Sequence, residues 1–201
     1  MVNEKYMVEE KQPKISLVIP AYNEEKYIGA TIKNVQEAIK EYKSHYPESE
    51  IELIVVNNNS TDRTEQIARE LGARVVFEKK NQIAASRNAG GRAAKGKIVA
   101  FLDADDHVSS NIFIIIDRVM SSGKYIGGGA KIIQERLTPI VIFFHIIFAT
   151  LSYITRISPG IIYLHKSTFD KMRGFDESYY AGEEGVFLWR LKKLGKLEGK
   201  I

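Results

Sequence analysis

Two aspartates separated by one residue lie near the middle of the chain, and together they could hold a divalent cation. Residues 98–102 read Ile-Val-Ala-Phe-Leu, and Asp103, Ala104, Asp105 and Asp106 follow directly. Because such an apolar run is typical of a buried strand, the acidic residues should emerge at its carboxyl end, where open α/β sheets bind ligands. Asp103 and Asp105 would then point the same way and offer the oxygen ligands that suit Mg²⁺ or Mn²⁺. The cluster indicates a metal–diphosphate site, and the simpler alternative is a solvated acidic turn before the next helix.

Three further polar clusters fall at comparable places in the chain. They are residues 20–24 (Pro-Ala-Tyr-Asn-Glu), 57–62 (Asn-Asn-Asn-Ser-Thr-Asp) and 87–90 (Arg-Asn-Ala-Gly). The first two follow apolar runs, and the third lies near the start of an expected helix. Because parallel strands end at the same edge of a sheet, a parallel arrangement would bring all the clusters to one rim. That shared position favours a binding site over unrelated turns.

The elements that would position these clusters alternate between strand and helix. Apolar, β-branched runs predict strands, and apolar residues at helical spacing predict the helices between them. This order implies a parallel sheet with right-handed crossovers and helices on both faces. The predicted strands are 15–19, 51–56, 74–77 and 98–102, and the predicted helices are 27–42, 60–71 and 84–94.

The second half of the chain is less regular. No linker separates it from the first half, so we expect one domain over residues 14–201 after a short arm, 1–13. Within this domain, the first half would be residues 14–106 and the second half residues 107–201. In the closing helix Trp189 is predicted to be a core residue, with the nearby lysines forming a solvated face. The predicted elements here are helix 111–120, strand 125–134, strand 160–164 and helix 184–194.

Composition excludes several classes of function. The chain has 201 residues and a net charge of +4, which fits an anionic substrate or membrane surface. No basic run is interleaved with aromatic residues, so we expect no nucleic-acid partner. The sequence contains no cysteine, which excludes disulfides and thiolate chemistry and favours a cytoplasmic location.

Residues 140–154 are the most apolar stretch of the sequence. A membrane-spanning helix needs about 20 apolar residues, and Arg156 ends this stretch early. Two interpretations remain open. The stretch is either a core helix or homodimer contact, or an interfacial helix resting on the inner face of a membrane. The second would suit a lipid-linked acceptor.

Taken together, the motifs resemble those of the family 2 glycosyltransferases, which have the nucleotide-sugar-binding fold called GT-A. The resemblance runs from about Lys14 to Leu194 and includes residues 173–177 (Arg-Gly-Phe-Asp-Glu) and 181–184 (Ala-Gly-Glu-Glu), which are similar to the family's GGFDE and GED segments. It implies an α/β fold of the GT-A class with a mainly parallel central sheet and a mixed second half. It also implies transfer of a sugar, with inversion, from a UDP- or GDP-linked donor to an acceptor hydroxyl or lipid phosphate.

The resemblance also implies roles for individual residues. Asp105 would reach the Mg²⁺ or Mn²⁺ ion, while Asp103 would contact the ribose or the metal. Tyr22 would stack on the nucleoside and Glu24 would accept hydrogen bonds from hydroxyls. The remaining implied donor-binding positions are Pro20, Ala21, Asn57, Asn59, Arg87 and Ala104.

Two positions depart from the family pattern. The general base of the family, an aspartate, corresponds here to Glu184, with Glu183 as the second choice. Both glutamates could instead simply favour the start of the closing helix. Asn57 stands where the family commonly has an aspartate that accepts from uracil, so uridine specificity is open and Asn57 could equally be a turn residue.

Two other function classes compete with a glycosyltransferase. A non-catalytic nucleotide-sugar-binding or membrane-scaffold subunit of the same fold stays open because of the two departures. A sugar-1-phosphate nucleotidyltransferase would need a glycine-rich, basic loop after the first strand. Residues 21–25 (Ala-Tyr-Asn-Glu-Glu) have neither glycine nor positive charge, which argues against that class.

Overall fold

The computed structural model describes residues 11–130 and 160–200. The predicted 140–154 stretch and residues 131–134 of the predicted 125–134 strand lie outside these ranges. Within them the strands are β1 (Ile15–Ala21), β2 (Ile51–Asn57), β3 (Arg74–Phe77), β4 (Ile98–Phe101), β5 (Gly127–Ala130) and β6 (Ile161–His165). The helices are α1 (Ile28–His45), α2 (Thr64–Glu70), α3 (Ile83–Ala93), α4 (Ile112–Ser121), α5 (Lys166–Met172) and α6 (Glu183–Leu197).

The strands form one sheet with the order β3-β2-β1-β4-β6-β5. Strands β1 to β4 are mutually parallel, whereas β6 runs antiparallel to β4 and pairs antiparallel with β5. The register sets Ala21 opposite Asn57, so β1 and β2 end together. The predicted parallel sheet and mixed second half are therefore confirmed, and the chain segments after β1, β2 and β4 leave the sheet at one rim.

Both faces of the sheet are covered by helices. Alternate strand residues point to opposite faces, so Leu17 packs with α1 and α4 while Val18 packs with α3. Helices α5 and α6 lie on the same side as α3, where Phe169 and Phe187 belong to the same buried apolar core as Val18. Burial on both faces explains why the central strands read as continuous apolar runs.

Helix α3 lies unusually close to the sheet. A Cβ atom added at Gly90 would lie 2.2 Å from Val18 Cγ1 and 2.8 Å from Val56 Cγ2. Only a residue without a side chain allows this approach. The close packing fixes the position of the polar residues one turn earlier on α3.

Two features of the second half differ from the sequence predictions. Helix α5 was not predicted, although Phe169 and Met172 are buried at helical spacing. Trp189 was predicted to be a core residue, but it is 60% exposed. The buried positions of α6 include Phe187, Leu191 and Gly195, and Trp189 is not among them. None of the described helices is long and apolar enough to cross a lipid bilayer.

A buried carboxylate joins α1 to α4. Asp117 accepts hydrogen bonds from Tyr42 Oη and Ser121 Oγ, both at 2.7 Å, and Lys14 Nζ lies 3.1 Å from it. Burial alone would raise the pKa of Asp117, but these donors outweigh it and lower the pKa below its ordinary value. The carboxylate therefore stabilises the folded chain when it is ionised.

We expect Asp117→Asn to lower the free energy of unfolding by about 2 kcal/mol at neutral pH, because the donors lose a charged acceptor. A depressed folded-state pKa gives stability above the unfolded pKa of about 3.9 that is lost as the pH falls through the folded value. The difference between the variant and the parent should therefore shrink in acid. Urea unfolding across this pH range measures it, and a difference independent of pH would contradict this assignment.

Candidate functional site

A cleft of about 570 Å³ opens at the rim where β1, β2 and β4 end. Its walls combine the loop after β1, the start of α3, the turn after β4 and the first residues of α6. The predicted site residues in these walls are Pro20, Ala21, Tyr22, Glu24, Arg87, Asp103, Ala104, Asp105, Glu183 and Glu184. Asn58, from the predicted cluster 57–62, also lines the cleft, together with Asn81, Gln82 and Ile83, which were not predicted.

The loop after β1 is held in place by the polar segment after β2. Asn23 has a positive φ of 55°, and its Oδ1 accepts a hydrogen bond from the Thr61 N–H at 2.8 Å. The Asn23 N–H donates to Ser60 Oγ at 3.0 Å, and the Glu24 N–H donates to Thr64 Oγ1 at 2.8 Å. These bonds fix the backbone that presents Tyr22 to the cleft. The second polar cluster therefore acts largely as a support for the first.

Asn57 and Asn59 are not among the residues that line the cleft. The Asn57 Oδ1 accepts from the Ser60 N–H at 2.8 Å, and its Nδ2 donates to Glu65 Oε2 at 2.5 Å. Asn59 is exposed in the turn with a φ of 62°. Since the Asn57 amide already has partners on both sides, this geometry favours its interpretation as a turn residue. Asn58 is the member of this trio that faces the cleft.

We expect Asn57→Ala to lower the free energy of unfolding by about 1–3 kcal/mol, because it leaves the partly buried Ser60 N–H and the Glu65 carboxylate without this partner. Nucleotide affinity of the folded variant should stay within about twofold, a small difference in binding free energy. Urea unfolding and calorimetric titration with UDP and GDP measure the two effects. A large loss of affinity at unchanged stability would restore Asn57 as a base-reading residue.

Arg87 joins the two sides of the cleft. It lies in the middle of α3, is only 3% exposed, and directs its guanidinium at carboxylates from β4 and α6. Its Nη2 lies 2.7 Å from Asp103 Oδ1 and 2.5 Å from Glu184 Oε1, while Nη1 lies 2.6 Å from Glu183 Oε1. The fork of five donors on an arginine suits such a multiple contact, which a lysine could not reproduce.

The carboxylates around Arg87 create a strongly negative cleft. Burial, followed by the charges of Asp103, Asp105 and Glu184, raises the pKa of Asp106 to about 7. Burial and the neighbouring acids Asp105, Asp62 and Asp103 also raise the pKa of Glu24. Both shifts have the same physical cause: an ionised carboxylate here is partly shielded from water and is repelled by the neighbouring carboxylates. A cation entering the cleft would relieve this repulsion.

The residues before α6 are clamped by side chains of α3. Asn88 accepts from the Phe175 N–H at 2.7 Å and donates to the Phe175 carbonyl at 3.0 Å. At the start of α3, Gln82 Nε2 donates to the carbonyls of Glu177 and Tyr179, at 2.7 and 3.1 Å. These bonds set where α6 begins. Sequence reasoning missed Gln82, because glutamine is not a usual helix-capping residue and its partners lie 95 and 97 residues away in the chain.

Helix α6 presents two glutamates of different burial. Both glutamates form ion pairs with Arg87, but Glu183 is only 6% exposed, whereas the Glu184 side chain is about one third exposed. Burial raises the pKa of Glu184, Arg87 opposes this shift, and Asp103 adds to it, with a net increase. A carboxyl group with a raised pKa at the edge of a cleft is suited to accept a proton.

Comparisons with known proteins extend these observations. The sequence model of Glycosyl transferase family 2 matches residues 16–136, a range that contains the four polar clusters. EpsJ of Bacillus subtilis (strain 168), described as an uncharacterized glycosyltransferase, is 33% identical over 106 residues, covering 50% of this chain and 28% of EpsJ. The chain therefore spans less than a third of that relative.

Solved structures show the same fold. Staphylococcus aureus TarS 1–349 in complex with UDP-GlcNAc has a TM-score of 0.66 and 22% identity, covering 89% of this chain and 53% of TarS 1–349. The mannosyltransferase PcManGT from Pyrobaculum calidifontis, in complex with GDP-Man and Mn²⁺, has a TM-score of 0.66 and 18% identity, covering 87% of this chain and 51% of PcManGT. The predicted GT-A fold is confirmed. With the family match covering more than half of its length, the chain belongs to Glycosyl transferase family 2.

Proposed function

We propose that the protein is an inverting glycosyltransferase that moves a sugar from a UDP- or GDP-linked donor to an acceptor hydroxyl. One observation carries the proposal. Arg87 brings Asp103, at the end of β4, into the same cleft as Glu184, at the start of α6. A donor-binding acid and a base candidate thus face one space of about 570 Å³, which is large enough for a nucleotide sugar.

The donor's nucleoside would lie against the loop after β1. Tyr22 is about half exposed and offers a ring for stacking, while Pro20 and Ala21 offer backbone atoms in the same wall. TarS is known in complex with UDP-GlcNAc and PcManGT with GDP-Man, which supports a nucleotide-sugar donor without choosing the base. Because the Asn57 amide already bonds to Ser60 and Glu65, Asn57 gives no reason to prefer uridine over guanosine.

The acidic residues fit a divalent cation. Asp103 and Asp105 supply carboxylate oxygens, the donor type that Mg²⁺ and Mn²⁺ prefer. Burial, followed by the charges of Asp103 and Asp105, raises the pKa of the neighbouring Asp106, and a divalent cation would offset that repulsion. Among the described residues, no three acidic or histidine side chains form a complete cation site. Asp103 and Asp105 would hold the ion, and its remaining positions would be open to other oxygen ligands. When bound, the ion would neutralise charge on the departing nucleoside diphosphate.

Glu184 is our candidate general base. An acceptor hydroxyl must lose a proton as its oxygen attacks the anomeric carbon, and the attack comes from the side opposite the leaving diphosphate, which inverts the configuration. Glu184 lines the same cleft as the loop after β1 that would hold the donor. Release of its carboxylate from Arg87 would make it available for the proton.

Turnover of nucleotide sugars tests this function. The chain should release UDP or GDP from at least one donor sugar when Mn²⁺ or Mg²⁺ and an acceptor mixture are present. Nucleotide release and the anomeric configuration of the product are the readouts. Nucleotide binding without turnover of any donor would instead support the non-catalytic nucleotide-sugar-binding subunit.

A further inference from the structure

The outer side of α6 carries an apolar and basic surface that the proposed transfer reaction does not use. We call it the outer α6 face. Its two apolar members are Trp189, 60% exposed, and Leu197, 78% exposed. Residues three, four, seven and eight positions apart lie on one side of a helix, so these residues share a face with three exposed lysines. The lysines are Lys192, Lys193 and Lys196.

This exposure does not arise from poor packing of α6. The opposite side of the helix is anchored by Phe187, which stacks on Phe175 at 4.0 Å between ring centroids, and by the buried Leu191. Trp189 is not part of the buried apolar core on either face of the sheet. Two large apolar side chains thus recur on the water-facing side of the helix about two turns apart, which makes this side a candidate binding surface.

The charges on this face indicate its partner. Residues 185–197 contain no aspartate or glutamate. Lys193 Nζ lies 5.5 Å from the centre of the Trp189 ring, so a positive charge accompanies the main apolar group. Tryptophan and leucine insert readily at the level of lipid headgroups, and lysines beside them are attracted to anionic lipids. Stacking on nucleic-acid bases would use Trp189 but would leave Leu197 without a role.

We propose that the outer α6 face docks on an anionic lipid bilayer. The docking itself does not depend on the proposed transfer reaction. If both hold, the acceptor is lipid-linked, because the first turn of the same helix carries Glu183 and Glu184 in the cleft wall. The bilayer contact and the acceptor side of the cleft would then belong to one rigid element.

The sequence contains a single tryptophan, so intrinsic fluorescence reports on this face directly. The full chain is titrated with vesicles of phosphatidylcholine alone or mixed with phosphatidylglycerol, at low and high salt. We expect the Trp189 emission to shift to the blue only with the anionic vesicles, and the shift to fall at high salt. An unchanged emission spectrum would overturn the proposal. So would an equal shift with a single-stranded oligonucleotide, or a shift that follows protein concentration alone and therefore reports self-association.

A triple variant and a matched control separate this face from net charge. Replacing Lys192, Lys193 and Lys196 by glutamine should weaken partition into anionic vesicles about 100-fold, from roughly fivefold for each lysine. The control is the same replacement at Lys33, Lys40 and Lys43, on the helix that packs on the opposite side of the sheet. An equal loss of partition into anionic vesicles in the two triple variants would overturn the proposal. Nucleotide binding by both triple variants should match the parent. Absence of nucleotide binding by the parent itself would count against the proposed function and would leave the bilayer docking untouched.

Discussion

Glu184→Gln should reduce the rate of sugar transfer by about 10²–10⁴-fold, the usual contribution of a positioned general base. Glutamine keeps the size of the side chain but cannot accept the proton that the acceptor hydroxyl loses. Nucleotide binding should change little, because the donor lies against other walls of the cleft. Steady-state transfer rates and calorimetric binding of the nucleotide diphosphate give the two quantities.

Glu183→Gln is the matched control for this prediction. Glu183 stands one residue earlier and lies 2.6 Å from the other terminal nitrogen of Arg87, but it is buried. We expect its replacement to affect mainly stability, with a smaller effect on the transfer rate of the folded protein. A larger rate loss for Glu183→Gln than for Glu184→Gln would reassign the base. Full activity of both variants would favour an acceptor that needs no base, such as a lipid phosphate.

Arg87→Met should destabilise the chain by about 3–5 kcal/mol at neutral pH, because removing one partner of a buried ion pair leaves uncompensated charge. The carboxylates of Asp103, Glu183 and Glu184 all lose their shared cation. Methionine fills much of the space of the arginine stem, so the loss reports on charge more than on volume. Urea unfolding measures it.

The pH dependence of this variant has a defined sign. Arg87 lowers the pKa of Glu184 against the effect of burial, so the pKa should rise further when Arg87 is removed. A folded-state pKa above the unfolded value gives stability that is present in acid and lost as the pH rises. The stability difference from the parent should therefore narrow as the pH falls toward the ordinary glutamate pKa of about 4.3. Arg87→Lys should be intermediate, since it keeps the charge but loses the fork; a difference that stays constant with pH would contradict the charge argument.

The sequence predicted most of the first half because its signals are local. Apolar runs and helical spacing define β1 to β4 and the helices between them, and polar clusters mark where the strands end. The rim could be predicted for the same reason: parallel strands bring Asp103, Tyr22 and their neighbours together whatever the details of the loops.

The sequence could not show which partner each polar side chain takes. Asn57 belongs to a motif that suggests ligand binding, yet its amide bonds to Ser60 and Glu65 within the same loop and helix. Arg87 was expected to bind the donor, and it contacts carboxylates from the turn after β4 and from α6, 16 to 97 residues away in the chain. Contacts at such separations depend on the tertiary fold and leave no local pattern.

Burial on α6 was also beyond sequence reasoning. Trp189 is large and apolar, which favours the core, but Phe187 and Leu191 occupy the buried side of the helix. Phe187 stacks on Phe175, which Asn88 holds in the segment between α5 and α6. A helix of mixed character can be rotated by one such contact.

The central claim is that a divalent cation held at the end of β4 binds a nucleotide diphosphate in the cleft. Calorimetric titration of UDP and GDP, with Mn²⁺, with Mg²⁺ and with a chelator, tests it most directly in the parent and in Asp105→Ala. Asp170→Ala, which removes an exposed acid of α5, is the control. We expect at least one nucleotide to bind at least about tenfold more tightly with metal in the parent and the control, a difference of about 1.4 kcal/mol that Asp105→Ala abolishes. Equal affinity with and without metal, or an unchanged metal effect in Asp105→Ala, would contradict the account.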